Sequence, residues 1–310
     1  MRLDIARIHR VFTANWVITF FSVLAFVGLR LLGSRDWYSI QYWIPAIIQM
    51  GIALLLLFLS QTYGIIRQKS LLPAFFYLLF VGTNPLLFGN LSGSISTILV
   101  IACFFFLFAT YQNSLPQIYA FNIAIFITLG SLYWFPLLFF LPLFCYGMYL
   151  LRSLNFRSFF ALFLGVFVVY MFLWTSNIIS ENNLSVFFKR FFAFDDLQII
   201  WTFSLGLQKR IICSFWIIFL FLSGLKIFLF DISEKIRTIM ILRYLWVLSC
   251  ILCVLFLTQS QWEGEWLLIL YSSVSLLISY FFAPLKKKIV LWFLLVLTAG
   301  FLVLFFWSTL

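Results

Sequence analysis

Apolar runs of membrane-crossing length, joined by short polar turns, take up nearly the whole chain, and the one long exception is residues 177–210. A helical span needs roughly 20 predominantly apolar residues. The pattern therefore predicts an all-α fold, a polytopic transmembrane helical bundle of about 11 spans. They fall at 16–32, 43–60, 71–88, 94–110, 118–133, 134–150, 158–176, 211–230, 239–258, 266–283 and 289–308. Trp134, Pro136 and Pro142 leave 118–150 open between one span and two. No linker or repeat divides the runs, so 1–310 read as a single integral membrane domain.

Within the exception, Leu184, Phe187, Phe188, Phe191 and Phe194 recur at helical spacing, while Lys189, Arg190 and Asp195 fall elsewhere around the wheel. That is the pattern of a helix lying in the headgroup plane. Asp195 and Asp196 then precede LQIIWTFSLGL, too short to cross a bilayer. The expectation for 177–210 is an outer-face loop with juxtamembrane helices.

Composition makes the membrane setting firm: 65% of residues are hydrophobic and 9% charged, against roughly 25% charged in a soluble domain. The net charge of +11 then marks orientation, because basic residues beside spans favour the cytosolic side. With the N-terminus inside, 14 of the 20 basic residues fall in inward loops and six of the nine acids in outward ones. This predicts N-in/C-out, with 177–210 on the periplasmic face of a bacterial cytoplasmic (inner) membrane. The first 15 residues read as the flank of a retained first span, without a cleavage site. Membrane lipids are the expected surroundings, and no basic domain outside the bilayer is left to bind nucleic acid.

Candidate chemistry lies in the outward turns. Asp36 follows Arg35, Asp195 and Asp196 stand between the two loop helices, and Glu263 and Glu265 flank Gly264. If these loops meet, they form a carboxylate-lined cleft edged by Trp262 and Trp266. Arg30 and Arg35 would hold a phosphate there, and Asn84 and Asn90, from the TNPLLFGN turn, would line the substrate. Asp36, Asp195 or Asp196 would act as base toward an acceptor hydroxyl, and Glu263 and Glu265 would hold a divalent metal beside a diphosphate. The plainer reading makes the acids ordinary outward-loop residues or helix caps, Asn84 the end of a kinked helix, and the tryptophans belt residues at headgroup depth.

Other chemistries are disfavoured. Cys250 and Cys253 have CxxC spacing inside a span, where they act as small apolar fillers. His9 is the only histidine, and the chain holds no phosphate-binding or dinucleotide-binding glycine loop. Ionisable residues in mid-span, the mark of coupled transport, are almost lacking.

The segments TNPLLFGN, NSLPQIYAFNIAIFITLGSLYWFPLLFFLPLF and FRSFFALFLGVFVVYMF resemble a family of multi-pass inner-membrane proteins of Bacteroidota with no assigned activity. The order of spans, an acid in the first outer turn and a later outer loop with juxtamembrane helices are also similar to the GT-C-type membrane glycosyltransferases. That resemblance implies transfer of a glycosyl group from a polyprenyl-phosphate-linked donor at the periplasmic face, with Asp36 in the catalytic position. The first outer turn is shorter than in that fold and carries no second acid. A non-catalytic subunit or scaffold of an envelope assembly, with a protein partner in place of a lipid-linked substrate, is the alternative; a transporter or flippase is a further one.

Overall fold

The computed structural model describes residues 16–33, 39–66, 70–175, 207–230, 235–259, 262–282, 296–303 and 305. The fold is all-α. Ten α-helices lie within the described residues up to 282: α1 (Trp16–Gly33), α2 (Ile40–Tyr63), α3 (Leu72–Gly82), α4 (Leu91–Ala109), α5 (Pro116–Tyr133), α6 (Phe140–Leu150), α7 (Phe156–Thr175), α8 (Leu207–Leu225), α9 (Ile236–Thr258) and α10 (Glu263–Phe282).

The expected count of about 11 spans is corrected. Among the described residues six helices are long and apolar enough to cross a membrane, namely Tyr42–Tyr63, Leu91–Ala109, Pro116–Tyr133, Phe156–Thr175, Ile236–Thr258 and Glu263–Phe282. Backbone breaks inside apolar runs account for part of the difference. The 71–88 run stops as a helix at Gly82, and Asn84 then caps a 3-10 turn over Pro85–Leu87. Its 11 helical residues reach only about 16 Å at 1.5 Å each. In the 134–150 run a 3-10 stretch, Phe135–Phe139, precedes an α-helix of 11 residues, with Pro136 at the start of the stretch. The runs 16–32, 211–230 and 289–308 supply only shorter described apolar helices or fragments. The N-in/C-out assignment rested on an odd count and falls with it. Residues 177–206, with the expected loop helices, lie outside the described residues, and Lys209 and Arg210 belong to α8 and not to a loop.

Helix directions follow from contacts at the ends. Gln49 bonds Ser94 near the starts of α2 and α4, and Tyr63 packs on Phe105 and Phe108 near their ends. These two helices therefore run parallel. α10 is the central element, with 89% of its apolar window buried, whereas α7 has 28%. α7 is attached along α5, where a Cβ on Gly165 would stand 2.6 Å from Ala124 Cβ and 2.8 Å from the Phe121 carbonyl. Only glycine lets those backbones approach so closely. At the far end of α10, Lys226 opens a π-helical turn and donates from Nζ to the carbonyls of Tyr280 and Phe281, at 3.3 and 3.1 Å. A cation there suits the negative pole of the helix, as Glu263 and Glu265 suit its positive pole.

Candidate functional site

Polar side chains gather where α1 ends and α2, α4 and α10 begin. Arg30, in the last turn of α1, is fully buried. Its Nη1 donates to the Tyr42 carbonyl at 3.1 Å, and its Nη2 donates to Gln49 Oε1 at 2.6 Å and to the Phe88 carbonyl at 3.1 Å. The rings of Phe26, Tyr42 and Phe88 surround the guanidinium at 4.9 to 5.2 Å, a cation–π cage that replaces part of the lost hydration. The Tyr42 hydroxyl returns a bond to the Arg30 carbonyl at 2.9 Å.

Gln49 carries the connection onward. Its Nε2 donates to the Leu87 carbonyl and to Ser94 Oγ, each at 3.1 Å, and Ser94 Oγ donates to the Asn90 carbonyl at 2.7 Å. Asn90 caps α4 by accepting from the Gly93 amide at 2.8 Å. Ser92 Oγ, 3.1 Å from Asn90 Oδ1, donates to Glu265 Oε1 at 2.7 Å. A continuous polar chain thus runs from α1 through α2 and the 87–94 turn to the first turn of α10.

Two glycines permit the meeting of α4 and α10. A Cβ on Gly93 would lie 3.1 Å from Glu265 Cα, and one on Gly264 would run into Asn90 Nδ2. Gly264→Ala should therefore push Asn90 off its cap and lower stability by about 1–3 kcal/mol, read as a fall in melting temperature in a fixed detergent.

The remaining expected site residues fall apart from one another. Asn84, 4% exposed, accepts from the Leu86 amide and donates to the Tyr271 hydroxyl at 3.4 Å, deeper along α10. Trp266 is wholly buried, with its ring edge-on to Trp134 at 4.5 Å and its Nε1 donating to Gln259 at 3.0 Å. Trp262 and Glu263 are half-buried beside it. Arg35, Asp36, Asp195 and Asp196 lie outside the described residues. Two of the expected turns are therefore in contact, through Asn90, Ser92 and Glu265. Among the described residues no three His, Cys, Asp or Glu side chains come together as a metal site, so no step is routed through a metal.

Gln49 is the member that the apolar pattern concealed. Its signal was present: a lone amide inside IPAIIQMGIALLLLF must find partners within the protein.

What fold and site define is a polytopic all-α membrane protein with a polar tie at one end of its bundle. Comparison with known proteins adds no family, since no family model, no curated protein and no solved structure matches the chain.

Proposed function

We propose that the protein is a non-catalytic membrane subunit of a bacterial envelope assembly, embedded in the cytoplasmic membrane. The observation that carries this reading is the bonding of Arg30. Both its terminal nitrogens donate to acceptors within the bundle, and three rings close around it. A phosphate-binding arginine presents its fork toward an arriving ligand; this one joins three segments of its own chain.

The surface for a partner is α7. Phe156, Phe160, Phe163 and Phe167 stand 78%, 51%, 61% and 59% exposed at helical spacing along it, an aromatic face suited to another transmembrane helix. A photo-crosslinker at Phe163 or Phe167 in native membranes should give one discrete protein adduct, absent when the crosslinker replaces the equally exposed Ile47. Lipid adducts alone from all three positions would overturn the assignment of a protein partner.

A second reading, GT-C-like glycosyl transfer from a polyprenyl-phosphate-linked donor, is favoured by one observation. The Glu265 carboxylate sits with Ser92 and Asn90 where two turns converge. In that reading Asp36 is the base, and Asp36→Asn abolishes function in a protein that still folds and inserts. Retained function would remove that role from Asp36.

A further inference from the structure

We infer that Arg243 of α9 holds the phosphate of an anionic phospholipid, at the end of the bundle opposite the polar tie. Its Nε is buried without a hydrogen-bond partner, and among the described residues Arg243 makes no hydrogen bond or ion pair. What stands beside its guanidinium is the Phe228 ring, 5.3 Å away. Other basic side chains of the bundle find acceptors: Arg30 reaches three, Arg237 donates to the Phe108 carbonyl at 3.2 Å, and Lys226 donates to the carbonyls of Tyr280 and Phe281. A guanidinium on a membrane-length helix whose donors go unpaired within its own chain calls for an anion from outside it.

The position of Arg243 identifies the source of that anion. Arg243 lies about 10 Å along the 23-residue α9, counting 1.5 Å for each residue from Ile236. Ile236 and Val254, 65% and 58% exposed, share its side of the helix, because offsets of 7 and 11 residues return to one face. Arg243 therefore stands on the side of α9 that meets the bilayer. Helical side chains lean toward the N-terminus, here the nearer membrane surface, and the apolar stem of an arginine carries its charged head out to headgroup depth.

Aromatic rings hold the guanidinium in place. Phe228, in the π-helical turn after α8 and 49% exposed, stands edge-on to Trp246 at 5.4 Å. Trp246, one turn deeper than Arg243, donates Nε1 to the Leu220 carbonyl at 2.8 Å, and a Cβ on Gly224 would lie 2.8 Å from that nitrogen. α8 and α9 are thus closed together below Arg243, so a ligand reaches it from the lipid side, where a guanidinium fork takes two phosphate oxygens. Lys235 is exposed at the start of α9, whereas Glu263 and Glu265 stand at the far end of the bundle. That balance favours an anionic headgroup over one that carries a choline. Asp231 and Glu234 precede α9 in the chain, outside the described residues.

The test is lipid titration of the delipidated full-length protein, read by native mass spectrometry. Wild type should retain phosphatidylglycerol over phosphatidylcholine by about fivefold, and Arg243→Gln should bring the ratio near one. Arg243→Lys, which keeps the charge without the fork, should give an intermediate ratio and serves if the glutamine variant fails to fold. Arg152→Gln with Arg157→Gln, exposed basic residues on another turn, should leave the selectivity in place. Selectivity unchanged by both Arg243 variants, or lost equally with Arg152 and Arg157, would overturn the site. Displacement of the lipid from wild type by millimolar inorganic phosphate would overturn the lipid as its ligand. So would a photo-crosslinker at Phe228 in native membranes that yields a protein adduct in place of a lipid one.

Discussion

Replacing Arg30 with alanine should destabilise the protein by about 3–5 kcal/mol, since each buried acceptor left without a donor costs about 1–3 kcal/mol. Three acceptors lose their donor together: the carbonyls of Tyr42 and Phe88 and Oε1 of Gln49. Arg30→Lys should recover only part, because one ammonium cannot span three acceptors that a planar fork reaches. Removing the Gln49 partner as well should give a less than additive loss, so Arg30→Ala with Gln49→Leu measures the coupling directly. Unfolding in a fixed detergent, followed by tryptophan fluorescence, gives each value. An Arg30→Ala protein as stable as wild type would show that the tie contributes little.

The second large effect is expected at Trp266. Its ring is wholly buried between Trp134 and Phe140, whose ring stacks on it at a centroid distance of 6.0 Å. Trp266→Ala should cost about 3–5 kcal/mol through the cavity it leaves. Trp266→Phe fills most of that volume and should cost about 1–2 kcal/mol, part of it for the Gln259 bond. Equal losses for the two variants would mean that the indole N–H, not the packing, holds the start of α10.

How far these contacts could be foreseen differs from residue to residue. The helix breaks were written in the chain: Asn84–Pro85 ends α3, and the Trp134–Pro136 segment forces a 3-10 stretch, because proline removes an amide donor whatever surrounds it. The same breaks defeat a count of spans taken from hydropathy, which sums over apolar residues without seeing that the helix has stopped. Its place near a span end sets Arg30 at an outward turn, yet it is the last turn of α1, and its side chain is enclosed by the Phe26 ring and by acceptors and rings from the chain's next 60 residues. Nothing local announces that enclosure. Trp266, next to the acids at a span end, has the sequence setting of a belt residue. Its burial depends on the 3-10 stretch from another part of the chain packing against it, a contact that periodicity does not carry. Asn90 lies between: an Asn before a helix is a legible cap, whereas its approach to Gly264 and Ser92 to Glu265 needed the fold.

If the polar end is a tie and not a reactive centre, neutralising the candidate carboxylates leaves function intact. Glu265→Gln keeps an oxygen to accept from Ser92, and Glu263→Gln, Asp36→Asn, Asp195→Asn and Asp196→Asn remove the other candidate acids of that reading. The combined variant, expressed in cells lacking the protein, should insert at the wild-type level, keep its α7 crosslink and restore the deletion phenotype. A variant that inserts and melts like wild type, keeps the crosslink and yet fails to restore the phenotype would contradict the account and make the carboxylates the working groups.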